Sequence, residues 1–461
     1  MARKVLIIGL DCAAPDLVFD QLADHMPNLT RLRHEGVYGR MRSSDPPITC
    51  PAWAVMGTSR TPGQLGMYGF RYREDYSYTE FMIATSHDFT EPAVWDILSD
   101  KGKYVCLVGV PPSYPPKRLN GVVISGFLAP STDSEYTSPS TIKAELNEIG
   151  GYLLDVMNFR TDDKQRLLKD LYALTENRFK VVTHLMKTKP WDFMMFVEMG
   201  PDRLHHGFWK FYDKTHPAYE PGNEFESAFA DYYKFVDDKI GELLDLIDDD
   251  TAVLVVSDHG AKPMRGVICI NEWLAQEGYL KLNSYPKEPI RLNKADIDWS
   301  QTTAWGWGGY YARIFFNIKG REANGIIDPK DFDKVRNELA QKLAKIPGIN
   351  GEKLDTKVTT PEELYQGVVK GSPPDLMVHF DDLAYRSAGT IGHNSIYLTE
   401  NDTGPDDAMH DWDGIFILWD PQARKGRELK GLTIYDVAPT ILHLMGEPKP
   451  KTMKGNIIKV K

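Results

Sequence analysis

The chain has 461 residues, 42% of them hydrophobic and 26% charged, a composition that suits a large globular core and excludes a disordered or fibrous chain. Its 54 Lys+Arg against 65 Asp+Glu leave a net charge of −11, which argues against attraction of nucleic acid or any other anionic polymer by the protein's general field. No stretch approaches the roughly 18 apolar residues of a membrane span, and Cys12, Cys50, Cys106 and Cys269 show no CxxC spacing; reduced structural thiols and a cytoplasmic location are expected.

The first element is the run Val5-Leu6-Ile7-Ile8-Gly9-Leu10, which ends in Asp11. It is too short for a signal peptide and reads as a buried strand. Apolar, β-rich runs recur at 104–110, 122–126, 192–199, 251–257, 375–380 and 414–419, and helical stretches at 163–187 and 224–248 separate several of them. Near-continuous apolar strands imply an α/β fold whose sheet is covered on both faces. From 261 to about 370 the pattern loosens. There the aromatic, glycine-rich run Trp305-Gly306-Trp307-Gly308-Gly309-Tyr310-Tyr311 precedes a strand-like 312–318 and a charged helix near 331–346. The expected organisation is a catalytic core from 1–260 and 371–461, with 261–370 as an inserted cap that sets substrate specificity.

Chemistry concentrates at the strand ends. Asp11 closes the first run, and Asp258-His259-Gly260 follows Ala252-Val253-Leu254-Val255-Val256-Ser257; ligand crevices in open α/β sheets lie at such carboxyl ends. Asp202 and His206 are four apart after the run Phe193–Met199. A helix beginning near Pro201 places both side chains on one face, where a carboxylate and an imidazole meet one ion. The plainer readings are a helix-capping Asp and an accidental surface pair. The combination in one α/β pattern weakens them, because mixed Asp/His ligation suits zinc or manganese, and several such groups are needed to hold two ions.

Further motifs carry a resemblance. Met26-Pro27-Asn28-Leu29-Thr30-Arg31-Leu32 with Gly36, Trp95-Asp96-Ile97-Leu98 with Gly102-Lys103, Asp45-Pro46-Pro47-Ile48-Thr49-Cys50-Pro51-Ala52-Trp53, and Ile434–Leu442 with Gly446, Pro448 and Gly455 are the residues concerned. With them the chain resembles the alkaline phosphatase superfamily, and within it the type I phosphodiesterase and nucleotide pyrophosphatase branch. The resemblance implies a three-layer α/β/α sandwich with a mostly parallel central sheet and an inserted cap. It makes Asp11, Thr49, Asp258 and His259 the ligands of one metal, and Asp202, His206 and His410 those of a second, Zn2+ in the first instance and Mn2+ in the next. His393, in a similar loop-like setting, is the rival to His410, while His205 points off the ligand face to a supporting position or to solvent.

The same resemblance makes Thr49 the nucleophile of a Thr-x-Pro element, with its hydroxyl at a helix N-terminus, where alkoxide and phosphoryl oxygens are stabilised. An ordinary N-cap role is compatible with this. A sulfatase would require cysteine at position 49 and an arginine after the proline; the chain has Thr49 and, after Ala52, Trp53. The chain departs from the pattern of the branch it resembles at Ala52, where many members carry an asparagine, and at Leu65, where a histidine is often found. Both departures point away from the nucleotides of the best-known members.

Two divalent ions bring a charge of about +4, offset by Asp11, Asp202, Asp258 and a Thr49 alkoxide, so the loaded site is near neutral. The expected activity is metal-dependent hydrolysis of a small phosphate ester or nucleotide-like substrate, as a phosphodiesterase or nucleotide pyrophosphatase passing through a phosphothreonine. The alternatives are a phosphomonoesterase, phosphomutase or phosphotransferase on the same site, or a binding protein that has kept the fold. Arg40, Arg42, Arg60 and Arg203 lie near these motifs; any one of them could bind a non-bridging phosphate oxygen, and the sequence does not choose among them. Trp305, Trp307 and Tyr310 offer flat faces for substrate, or pack the cap onto the core.

Overall fold

The computed structural model describes residues 4–88, 90–423 and 425–460. A ten-stranded, mostly parallel sheet runs through its centre. Lys4–Leu10 lies mid-sheet, parallel to Thr251–Val256 on one side and to Phe193–Glu198 on the other. Val105–Val108 and Gly121–Ile124 continue the parallel run. On the opposite flank Asp413–Trp419 pairs antiparallel with both Thr251–Val256 and Val37–Arg42. All residues of Val5–Leu10, Phe193–Glu198 and Thr251–Val256 are buried, which is why these strands read as unbroken apolar runs and not as alternations.

Two groups of helices cover the sheet and give the expected sandwich. Pro27–Glu35, Lys164–Thr188, Gly200–Tyr212 and Ala228–Leu244 pack on one another, and Thr49–Thr58, Val94–Asp100 and Val437–Leu444 form a second packed group. Asp237 ties two of the first group together. Its carboxylate accepts the Asn28 and Leu29 N–H groups at 2.9 and 2.8 Å, and so satisfies orphan donors at the start of the Pro27–Glu35 helix.

A second hydrophobic core gathers residues between Ile268 and Ile391 around a four-stranded sheet ordered Ala304–Trp307, Ala312–Phe316, Leu376–His379 and Lys357–Thr359. The apolar run at 375–380 therefore belongs to this sheet and not to the central one. An apolar run specifies burial, but not which of two cores provides it. Val37–Arg42 escaped the sequence reading because its face alternates, with Tyr38, Arg40 and Arg42 outward. The chain leaves the first core at Gly260–Pro263 and returns at Ala408–Asp411, and these segments form one antiparallel ladder. Among the described residues no helix is long and apolar enough to cross a membrane, and all four cysteines are free and buried.

Candidate active site

Sheet register brings the first two acids together. Lys4–Leu10 and Thr251–Val256 are parallel neighbours with Gly9 opposite Val256, so Asp11 and Asp258 emerge side by side at the same edge. Gly9 permits a close approach there: a Cβ at this position would meet Trp53 Cη2 at 2.6 Å and the Phe196 carbonyl at 2.9 Å. The indole is thereby free to cross the strand end, and Trp53 Nε1 donates to Asp11 Oδ2 at 2.7 Å.

The other half comes from a helix and a ladder. Gly200–Tyr212 opens with Pro201 in its first turn, so Asp202 and His206 share a face; His206 Nε2 is 3.3 Å from Asp202 Oδ1. In the Gly260–Pro263/Ala408–Asp411 ladder Ala261 faces His410. The His259 and His410 rings stack with centroids 3.8 Å apart, and His410 Nε2 is 3.4 Å from His206 Nε2. His393 is elsewhere, its ring on Thr390 Oγ1 at 2.7 Å and its N–H on Glu272. The structure thus assembles His410, and not His393, with the other candidates.

Thr49 is the first residue of the buried helix Thr49–Thr58, but the N-cap is Ile48. The N-cap reading of Thr49 is corrected: its hydroxyl makes no cap bond and lies 3.4 Å from His259 Nε2. Cys50 is buried in the same turn, and burial pushes its thiol well above the usual range, so it is no thiolate.

The donor set fits divalent cations. Each candidate histidine has Nδ1 engaged: His206 on Asp406 Oδ1 at 2.6 Å, His259 on the Gly260 carbonyl at 3.1 Å, and His410 on the Pro47 carbonyl at 2.7 Å. The carbonyls can only accept, so the protons of His259 and His410 reside on Nδ1 and their Nε2 lone pairs face the site. Each aspartate likewise has one oxygen held: Asp11 Oδ2 by Trp53, Asp258 Oδ1 by the Cys12 N–H at 3.2 Å, and Asp202 Oδ2 by the Arg203 guanidinium. The remaining oxygens, Asp11 Oδ1, Asp202 Oδ1 and Asp258 Oδ2, are buried without a hydrogen-bond partner. Donor atoms of Asp11, Asp258 and His259 lie within 4.8 Å of one another, as do those of Asp202, His259 and His410. Three carboxylates and three imidazoles exceed the needs of one tetrahedral ion.

The electrostatics show what a cation would relieve. Burial, then repulsion from Asp202, raises the Asp11 pKa well above its ordinary value; burial and then Asp11 do the same to Asp258. Burial also opposes ionisation of Asp202, but His206 and Arg203 outweigh it and hold Asp202 well below the carboxylate range. Burial pushes His259 down to about 4 and His410 well below its usual value. Crowded, desolvated carboxylates are costly until a positive charge sits between them.

Two residues at the site were not singled out as part of its machinery. Asp406 accepts from His206 and from Arg160 Nε at 2.9 Å, with Arg386 at 3.3 Å; with its histidine it forms a carboxylate–imidazole pair that fixes ring orientation. Nothing in the local sequence marks it, since its partner lies 200 positions away. Tyr310, expected as a flat face for substrate or as packing between cap and core, stacks on His410 at 3.6 Å and places its hydroxyl 3.1 Å from His206 Nε2.

Other expectations are corrected. For Trp305 the substrate face is ruled out and the packing alternative holds: it is fully buried in the second core, edge-on to Tyr78 and Trp299; Trp307 is half-buried. Of the four arginines, Arg40 pairs with Asp16 on the surface, Arg60 with Glu91, and Arg42 covers Trp412. Only Arg203 reaches the site, clamped between Asp155 and Asp202. His205 is not in solvent but packed on Phe229 and bonded to Tyr233 at 3.0 Å.

Over residues 5–413 the sequence matches the model of the family described as type I phosphodiesterase / nucleotide pyrophosphatase. No curated protein matches the chain. Phosphonoacetate hydrolase from Sinorhizobium meliloti 1021, solved with phosphonoformate, superposes with a TM-score of 0.62 at 18% identity over 96% of each chain. Human ectonucleotide pyrophosphatase / phosphodiesterase 5 superposes at 0.57 and 13% identity, over 98% of this chain and 97% of its own. An inactive murine form of the latter, in complex with AMP, gives 0.56 and 14% over 99% and 97%. At these identities the likeness is one of fold.

Proposed function

We propose that this chain, which belongs to the type I phosphodiesterase/nucleotide pyrophosphatase family and is a phosphoric ester hydrolase, cleaves small phosphodiesters through a phosphothreonine at Thr49. The observation that carries this reading is the convergence of three buried carboxylate oxygens without a hydrogen-bond partner and the Nε2 atoms of three histidines beside a hydroxyl at the start of a buried helix. We assign Asp11, Asp258 and His259, with Thr49, to one divalent ion and Asp202, His206 and His410 to the other. Zinc is the first choice on the mixed oxygen and nitrogen donors and manganese the second. Bound there, the ions would neutralise phosphoryl charge and lower the hydroxyl pKa.

The chain's own residues divide the remaining work. Thr49 Oγ1 attacks phosphorus in line as one ester oxygen leaves, and in a second displacement water releases the phosphoryl group from Thr49. The free N–H groups at the start of the Thr49–Thr58 helix point at the developing charge. Asp406 keeps His206 in one orientation, and Tyr310 closes the wall above His206 and His410. Region 261–370 is assigned to substrate selection, and four buried free thiols support a reducing, cytoplasmic setting. A panel of nitrophenyl monoester, diester and sulfate substrates with added zinc, manganese or magnesium tests the assignment. Diester turnover in the presence of metal is the expected result, and turnover of the sulfate alone would overturn it.

A further inference from the structure

Beside the metal-ligand cluster is a cavity of about 210 Å³ whose lining includes four arginines, Arg71, Arg291, Arg313 and Arg386, and one acid, Asp402. In a chain of net charge −11 this is a local inversion of sign. Arg386 is balanced by Asp406 at 3.3 Å. Arg71, Arg291 and Arg313 have no carboxylate partner among the described residues, and Asp402 is already taken by Thr390 Oγ1 at 2.6 Å. Two guanidinium nitrogens, Arg313 Nε and Arg386 Nε, are buried without a hydrogen-bond partner.

The cluster is built and not accidental. Arg313 donates to the Arg71 carbonyl at 2.8 Å, and so holds the hairpin Arg71–Arg73/Phe81–Ile83 against the glycine-rich run. At Gly308 a Cβ would meet the Gly389 nitrogen at 2.3 Å and the Ser387 carbonyl at 2.4 Å, so backbone packs tightly under the cavity floor. Arg71 and Arg291 stand exposed at the rim of the cavity, near enough that, after burial, the like charge of Arg291 lowers the Arg71 pKa, and neighbouring guanidiniums without a carboxylate attract an anion. One lining residue links the cavity to the metal-ligand cluster: Arg386 lies over the Tyr310 ring at 4.7 Å, and the Tyr310 hydroxyl reaches His206. At about 210 Å³ it is smaller than the roughly 300–1,000 Å³ of a whole-ligand site, the size of one substituent.

We infer that this cavity receives a second oxyanion, phosphate or carboxylate, at the far end of the substrate, which makes the preferred substrates small phosphate esters with two separated anionic groups. The inference rests on the phosphoester hydrolase reading above. Guanidiniums suit such a group because they bind planar and tetrahedral oxyanions through paired N–H donors.

The test uses metal-loaded enzyme and nitrophenyl alkyl phosphodiesters that share the scissile bond but end in methyl, carboxylate or phosphonate over a series of tether lengths. At the best tether the anionic ends should raise kcat/KM about ten- to hundred-fold over methyl, the equivalent of one charge-assisted hydrogen bond. In the double variant Arg71→Ala/Arg291→Ala, both at exposed positions, the ratio should fall to about one. A gain with phosphonate alone identifies phosphate as the natural group, and a gain with both identifies any oxyanion. Equal rates for all ends in the wild type, or a preference that survives the double variant, overturns the inference. Failure to turn over even the methyl-ended diesters counts against the hydrolase reading and not the cavity. The cavity is then judged by calorimetry with butylphosphonate and butane diphosphonate. Tighter binding of the diphosphonate in wild type but not in the variant supports it, and the same ratio in both proteins overturns it.

Discussion

Asp11 and Asp258 owe their positions to two neighbouring parallel strands, whereas His206 and His410 owe theirs to a helix and an antiparallel ladder that meet across a buried ionic network. On the strand side, apolar packing, the Trp53 indole on Asp11 and the Cys12 N–H on Asp258 suffice, and the two carboxylates stand together with their other oxygens unpaired. On the helix side, Arg203 with Asp155 clamps Asp202, Asp406 with Arg160 and Arg386 clamps His206, and His410 rests on the Pro47 carbonyl. Strand ends are placed by the hydrogen-bond ladder of the sheet. The helix and the returning strand are joined by one backbone hydrogen bond, from the Asp407 N–H to the His206 carbonyl at 2.9 Å, and side-chain charge fixes the rest of their mutual orientation.

The largest expected effect bears on the strand side. Thr49→Ala should lower turnover by at least roughly 10³-fold, because a nucleophile is lost. Stability should change by less than about 1 kcal/mol, since the hydroxyl makes no cap bond; kinetics and a urea melt check both at once. Thr49→Ala turning over at the wild-type rate would remove the centre of the mechanism. Next comes metal content. Saturated protein should carry about two divalent ions by elemental analysis, with His410→Ala retaining one and His393→Ala both. Chelation should lower stability by about 2.7 kcal/mol per site relative to metal held at a hundredfold excess over its Kd. One ion in the saturated wild type would mean that the two halves form a single site.

Asp406→Asn sharpens the contrast most directly. It should weaken metal binding or activity by about 10- to 100-fold, and the loss should fall on the His206 half. Competition titrations with a metal indicator that show both ions weakened alike would mean the halves are not held independently. The smallest effect is expected at Cys50: Cys50→Ala should keep activity within about twofold, and iodoacetamide should leave the native thiol unmodified because burial keeps it protonated.

The same division governed what the sequence revealed. The strands bearing Asp11 and Asp258 are unbroken apolar runs, and the Asp202–His206 spacing is one helical turn; a local pattern locates all of them. Asp406 and Arg160 could not be found this way, because their partners in the network lie 200 and 246 positions distant and a solvated acid looks the same in sequence. Tyr310 and Trp305 illustrate a subtler loss. They share one aromatic run, yet the strand Ala304–Trp307 turns Trp305 into the second core while the loop after it delivers Tyr310 to His206. Nor could the run at 375–380 announce its sheet, since burial in either core demands the same residues.

The ladder that joins Gly260–Pro263 to Ala408–Asp411 acts as a gateway through which the whole intervening segment is threaded. Pro263 and Ala408 sit opposite each other, so the segment begins and ends at one spot whatever its length. Closing a longer loop between fixed ends costs little, about 0.6 kcal/mol for each doubling. A lineage can therefore lengthen or shorten the parts of this segment away from Tyr310, Arg386 and Asp406, and with them part of the arginine-lined cavity, while the pairing that sets His259 against His410 stays the same. Change in what the enzyme recognises is in this way uncoupled from the ladder that seats His410.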